Sequence, residues 1–284
     1  MDSINVIGVP EHFNLPWHLA IADGAFSNKG IEVNWRAVPE GTGRMCQMLQ
    51  NNEADIAIIL TEGIVKSIAE GNPCRIVQEY VASPLLWGIH VAHGSNFKSL
   101  SDLYGKKAAI SRYGSGSHLM AFVNAHHQQW NPKGLQFEVV HTLEGGIRAL
   151  TEGIADYFMW ERFTTKPWVD AGIFRRLDDC PTPWPCFVIA CTLKYIETKP
   201  QVLHNVLHTI NSYTSTFKQR PNISHELADR YQQKLEDVTT WLTLTQWSQK
   251  QMELSTAEKV QHTLRQLELI GKHLPVDELL YQNI

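Results

Sequence analysis

A short pattern that occurs twice, roughly a hundred residues apart, constrains this chain more than any single residue does. Phe26-Ser27-Asn28-Lys29-Gly30-Ile31-Glu32-Val33-Asn34-Trp35 reads as a helix end, a glycine C-cap and an alternating strand. Trp130-Asn131-Pro132-Lys133-Gly134-Leu135-Gln136-Phe137-Glu138-Val139 repeats the polarity position by position. A second pair follows at a spacing three residues shorter: Leu49 to Asp55 before apolar Ile56–Leu60, and Leu150 to Asp156 before Tyr157–Trp160. Each half therefore runs strand, helix, strand, helix, strand. In the first half these are Asn5–Val9, a helix from about Pro16, Ile31–Ala37, Arg44–Asn51 and Ile56–Leu60. In the second they are Lys107–Ser111, a helix from about Ser117, Leu135–His141, Gly146–Glu152 and Tyr157–Trp160. Strands alternating with helices predict, in each half, a mostly parallel sheet covered on both faces.

The connections complete a two-lobed plan. Glu79–Ala92 is apolar and strand-like, Phe97–Lys106 reads as a short amphipathic helix, and the first crossover is expected near His90–Ser95. Pro181-Thr182-Pro183-Trp184-Pro185-Cys186 breaks regular structure before an apolar strand, Phe187–Cys191, and marks the return. The expected division is 1–92 plus 187–284 for the first lobe and 93–186 for the second. Helical periodicity over Pro200–Phe217, Ile223–Glu236, Leu244–Met252 and Thr256–Ile270, with Ser255 or Thr256 as an N-cap, makes the last third mainly helical.

Composition excludes several classes. With 43% hydrophobic and 19% charged residues, 284 residues suffice for two folded cores. A formal charge of −4 without any basic stripe argues against a nucleic-acid partner. No run approaches the ~18 apolar residues of a membrane span. The five cysteines are scattered without CxxC spacing, which predicts thiols in a reducing compartment and no structural zinc. Met1-Asp2-Ser3-Ile4-Asn5-Val6 enters a strand at once, with no signal-peptide pattern, so the expected location is cytoplasmic. Thirteen histidines include the adjacent pair His126-His127, but no HExxH-type pair at helical spacing, so no metal and no cofactor is expected. There is no GxSxG elbow, GxxxxGK[ST] loop or full GxGxxG.

Asn14-Leu15-Pro16-Trp17-His18-Leu19-Ala20 opening a helix after the first strand, then Gly24-Ala25-Phe26-Ser27-Asn28-Lys29-Gly30, resembles the start of substrate-binding proteins of the type II periplasmic-binding-protein fold. More narrowly it is similar to the branch holding thiamine-pyrimidine-precursor proteins and the alkanesulfonate and nitrate binders. Trp160-Glu161 and Pro183-Trp184-Pro185 resemble a cytoplasmic branch of fungi and bacteria. The resemblance implies an α/β fold of two lobes, each a mostly parallel sheet flanked by helices, with two crossovers. It also implies a small-molecule ligand held between the lobes by loops at the carboxyl ends of the strands.

Those loops hold the candidate binding residues. Ser111-Arg112-Tyr113-Gly114-Ser115-Gly116-Ser117 is a small-residue turn before a helix, suited to an anion, with Arg112, Gly114, Ser115, Gly116 and Ser117 as contacts; an ordinary serine-capped helix would look the same. Gly41, Thr42, Gly43 and Arg44 form the matching loop of the first half, where a flexible turn with a solvated arginine is the plainer account. Asn14, Pro16 and Trp17 follow the first strand; Trp17, Trp160 and Trp184 offer flat rings for a heterocycle, with core packing as the rival role. Thr61, Glu62 and Glu161 follow apolar strands, from which a carboxylate can take hydrogen bonds from ring nitrogens or an amine.

Three functions remain open. One is a non-catalytic binding protein for an anionic or heteroaromatic metabolite. Another is an enzyme of thiamine-pyrimidine biosynthesis using the same cleft, with pyridoxal phosphate on a lysine such as Lys66; the spread of Cys180, Cys186 and Cys191 departs from the cysteine-rich motif of the fungal synthases. The third is a partner-regulated interaction protein docking through the C-terminal helices. Neither a transporter nor a protein partner is specified by the sequence.

Overall fold

In the computed structural model, which describes residues 1–282, the chain forms two units. The first comprises Met1–Ser83 and Trp184–Ile284, the second Pro84–Pro183. In chain order the first unit begins with β1 (Asp2–Gly8), α1 (Leu15–Ala22), β2 (Ile31–Ala37), α2 (Thr42–Gln50), β3 (Ile56–Leu60), α3 (Thr61–Ala69) and β4 (Cys74–Val81). The second contains β5 (Leu86–Ala92), β6 (Lys107–Ile110), α4 (Gly116–His127), β7 (Gln136–Val139), α5 (Leu143–Thr151), β8 (Tyr157–Glu161), α6 (Lys166–Asp170) and β9 (Phe174–Pro181). The chain then returns through β10 (Phe187–Thr192) to α7 (Leu193–Thr198), α8 (Pro200–Thr216), α9 (Ile223–Tyr231), α10 (Leu235–Leu244) and α11 (Leu254–Gln266).

The sheets have the same plan, β2-β1-β3-β10-β4 and β7-β6-β8-β5-β9. Three strands of each are parallel, and the strands arriving through the crossovers, β10 and β5, are antiparallel to their neighbours on both sides. Both sheets are therefore mixed. Every side chain of β3 (Ile-Ala-Ile-Ile-Leu) and of β10 is buried, which is why these strands read as continuous apolar runs rather than alternations.

The repeated Ala-Asp pair has a structural job. Asp55 accepts the amide of Asn5 at 2.8 Å and returns its own amide to the Asn5 carbonyl; Asp156 does the same with Lys107. In each unit the aspartate thus pins the entry to the third strand against the first. The repeated Lys-Gly is less uniform. Gly30 is left-handed (φ 72°), as a C-cap requires, whereas Gly134 closes a 3-10 turn without a positive φ.

Several expectations are corrected. Leu86–Ala92 belongs to the second unit, because β5 pairs with β8 and β9; the first crossover is at Ser83/Pro84 rather than beyond Ala92. The return is at Pro183/Trp184, because Trp184 and Cys186 already bond to the first unit's Glu62 and Thr61. Residues 97–106 contain only a 3-10 turn, Leu100–Leu103, held by a Ser99/Asp102 capping box. The predicted helix over Ile223–Glu236 breaks at left-handed Gln232 (φ 52°). The segment predicted as a helix over Leu244–Met252 is extended: it pairs along β4 through Ala82 N–H to Gln246 O, Ser248 N–H to Tyr80 O and Glu79 N–H to Lys250 O. α11 begins at Leu254 after Glu253, with neither Ser255 nor Thr256 capping it.

Candidate functional site

At the carboxyl ends of the parallel strands each unit presents its own set of candidate groups. In the second unit, β6 runs into a turn whose three serines are all buried. Ser117 Oγ accepts the amide of Ser111 at 3.0 Å, and Ser115 Oγ lies 3.1 Å from Ser117 Oγ. Ser115 is also the N-cap of α4, accepting the amide of His118. Because backbone amides occupy acceptor positions of Ser115 and Ser117 and one of these two hydroxyls donates to the other, the second hydroxyl proton can be directed to a further acceptor. The first amides of α4 have no carbonyl within the helix, and its dipole favours negative charge at this end. Left-handed Gly114 (φ 77°) shapes the turn, with its amide donated to His118 Nδ1 at 3.1 Å. Half-buried Arg112 lies in the same turn, and the ring of Tyr113, 66% exposed, meets His118 edge-on at 5.3 Å.

In the first unit, Glu62 lies in the first turn of α3 and is fully buried. Its Oε2 accepts the indole N–H of Trp184 at 2.8 Å; its Oε1 has no hydrogen-bond partner among the described residues. Burial drives its carboxyl up to about 7, against the stabilising effect of its own backbone amide and of Trp184. Thr61 is buried beside it; its amide donates to Cys186 O, and its hydroxyl to Pro185 O at 2.5 Å. Asn14 and Pro16, after β1, are also buried; Asn14 Nδ2 donates to Val9 O at 2.8 Å, and its Oδ1 has no partner among the described residues. Gly41, left-handed, leads into Thr42 and Gly43 at the start of α2, and Thr42 packs on Gly63 so closely that a Cβ there would come within 2.2 Å of its methyl.

Glu161 ends β8, the strand that corresponds to β3. It too is buried, and burial drives its carboxyl up to about 7, but its Oε2 accepts the Thr164 amide at 2.6 Å.

Other candidates are placed elsewhere. Trp17 is wholly buried, stacked on Phe26 at 5.7 Å and near Trp35, so it serves the core. Arg44 pairs with Glu53 at 2.7 Å. Trp160 is half-buried and packs on Phe158 at 5.3 Å as part of the second unit's core margin. Lys66 pairs with Glu70 further along α3, which gives the Schiff-base reading no support. A groove of about 760 Å³ in the second unit lies at the opposite end of its sheet, bordered by His93, Phe97, Glu152 and Ile173. Ser111 enters the site through its contacts with Ser117, a role signalled only by its place at the strand end. The Trp184–Glu62 bond joins residues 122 positions apart and leaves no local signal.

Two mixed five-stranded sheets of identical order, each entered by an antiparallel crossover strand and each gathering polar groups where its parallel strands end, define the type II periplasmic-binding-protein fold. Residues 87–180 match the model of the Ca3427-like PBP family. The solved structure of the Candida albicans CA3427 gene product, described as having the generic periplasmic binding protein fold, is 26% identical with a TM-score of 0.91, covering 99% of this chain and 96% of that one. The alkanesulfonate-binding protein SsuA from Xanthomonas axonopodis pv. citri, bound to MOPS, is 14% identical with a TM-score of 0.84 over 99% and 98% of the two chains. The periplasmic aliphatic sulphonate binding protein SsuA of Escherichia coli is 16% identical with a TM-score of 0.74 over 99% and 92%. The chain therefore has the type II periplasmic-binding-protein fold that these structures share. No curated protein sequence matches it. Among the described residues, no helix is long and apolar enough to cross a membrane.

Proposed function

We propose that this protein is a non-catalytic receptor for one small anionic molecule, with the anionic group taken at the Ser111–Ser117 turn. The observation that carries the reading is the cluster of Ser111, Ser115 and Ser117 hydroxyls at the start of α4, two of them with backbone amides already in acceptor positions. A neutral hydroxyl donor in a cluster at a helix start, with the helix dipole behind it, suits a sulfonate, phosphate or carboxylate without requiring a cation. The SsuA structures, one holding the sulfonate MOPS, support a sulfonate as the first ligand to try. Five free thiols are consistent with work in a reducing compartment, where such a receptor would serve sensing or delivery.

Thermal unfolding against alkanesulfonates, sulfate, phosphate and small carboxylates tests this. A ligand at 100 times its dissociation constant adds about 2.7 kcal/mol. The expected result is stabilisation by at least one of these anions, lost in Ser115→Ala/Ser117→Ala. Stabilisation that survives the double substitution would move the anion away from this turn, and none across the panel would remove the reading.

A further inference from the structure

Helix α8 buries Val202, Leu203, Val206, Leu207 and Ile210 and leaves His204 and His208 exposed. Residues four apart on a helix lie one above the other with Cβ atoms about 6 Å apart, so two imidazoles at this spacing can reach one point. Both line a single cavity of about 170 Å³ inside the first unit, between α8 and β4. The other polar groups around it are amides whose nitrogens are already engaged. Gln78 and Asn211 exchange hydrogen bonds at 2.8 and 3.0 Å, Gln249 donates to Thr214 Oγ1 at 3.1 Å, and Gln251 donates to Tyr281 O at 3.4 Å. The histidine pair has the spacing of HExxH without its glutamate, so it offers two ligands and no general base.

We infer that His204 and His208 chelate one transition-metal dication of the zinc class in this cavity, independently of the anion turn, which belongs to the other unit. Imidazole ligands suit Zn²⁺, Ni²⁺ and Cu²⁺ and not Mg²⁺ or Ca²⁺, which take oxygen. Among the described residues no three His, Cys, Asp or Glu side chains gather, so the site is open, unlike the closed four-ligand structural kind. The cavity has room for the ion's remaining waters, at roughly 30 Å³ each, beside the amide oxygens of Gln249 and Gln251. One existing contact opposes the ion: Lys29 Nζ lies 3.1 Å from His208 Nδ1. An ammonium only donates, so Nδ1 accepts and the ring proton stands on Nε2. A metal on Nδ1 takes the place of Lys29; a metal on Nε2 sends the proton to Nδ1, where it faces Lys29. In either geometry the exposed Lys29 must withdraw, so the ion and the link from α8 to the turn before β2 exclude each other.

The test is calorimetric titration of the full chain with zinc chloride. His204→Ala and His208→Ala should each weaken one bound zinc by at least about tenfold, because the second imidazole binds as an intramolecular partner of the first. His126→Ala/His127→Ala, which removes the adjacent pair on α4, should leave that zinc unchanged. Lys29→Met should strengthen it roughly three- to tenfold, the worth of one released hydrogen bond. Both histidines are exposed, so their substitution spares the core, as circular dichroism would verify. Losses under twofold in both single-histidine variants would mark adventitious zinc elsewhere on the chain and overturn the inference. A Lys29→Met protein that binds no more tightly than the wild type would take His208 out of the site and overturn it too, as would a wild-type chain that binds no zinc.

Discussion

Replacing Glu62 by glutamine should make stability less dependent on pH, by an amount set by the burial of one carboxyl. In the folded protein this group titrates at about 7, against an ordinary value of 4.5. An acid whose folded pKa is raised keeps its proton in the folded state while the unfolded chain has released it. Folding is therefore favoured most below pH 4.5, and stability falls as pH rises from 4.5 to 7. The gap of about 2.5 units corresponds to roughly 3 kcal/mol, or some 6–12 °C in melting temperature for a unit of this size. The side chain introduced by Glu62→Gln keeps the shape and the acceptor for Trp184 but has no proton to lose. The variant's stability relative to the wild type should thus improve by about 3 kcal/mol between pH 4.5 and 8.5, as read by urea unfolding with tryptophan fluorescence at steps of one pH unit. Glu161, raised in the same direction in the other unit, is common to both proteins and cancels in the difference. A difference constant within about 0.5 kcal/mol across this range would refute the argument that dehydration governs the acid.

Gly63→Ala forces a methyl to within 2.2 Å of Thr42 Cγ2 and should cost roughly 1–3 kcal/mol; adding Thr42→Ser, which removes that Cγ2, should recover most of the loss, a coupling readable by denaturant titration. Trp17→Ala should destabilise the first unit by about 3–5 kcal/mol while leaving the ligand dissociation constant of the folded fraction unchanged, because the ring packs on Phe26 and Trp35. Arg44→Ala should change anion affinity less than twofold by calorimetric titration, its guanidinium being committed to Glu53; a tenfold loss would return it to the binding site.

Much of the fold is legible in the sequence because its periodicities are local. The strand–helix alternation, the Ala-Asp entries to β3 and β8, and the apolar run of β10 each announce themselves within a few residues. What local pattern misplaces depends on distant partners. Leu86–Ala92 is equally apolar in either unit, and only its pairing with β8 and β9 assigns it. Residues 245–252 have helical spacing of apolar side chains, yet hydrogen bonds to β4 outweigh that weak preference. In the site, the serine turn can be read from its small residues and its place before a helix. Trp17 cannot be distinguished from a ligand-facing ring, since an aromatic side chain in a helix after a strand end has both options until Phe26 and Trp35 are seen around it. Glu62 stands out by its position, but its one unmet oxygen becomes visible only when every neighbour is known.

The outer side of β4 is where a sheet of this kind is most exposed to adding a strand from another molecule. Here it is occupied twice by the chain's own later residues: Gln246, Ser248 and Lys250 bond along its second half, and Leu279 and Tyr281 clasp Ile76 in its first. The last segment thus acts as a clasp against self-association, since a free row of backbone groups on an apolar strand invites intermolecular pairing. At the other margin β2 has no such cover among the described residues and instead displays Glu32, Asn34 and Arg36 to solvent, charged and polar side chains that discourage stacking of copies. Trimming the chain before Leu279 would therefore leave both sheets with their strand order intact, yet open a sticky margin on the first, and the damage would be read in light scattering before it was read in circular dichroism.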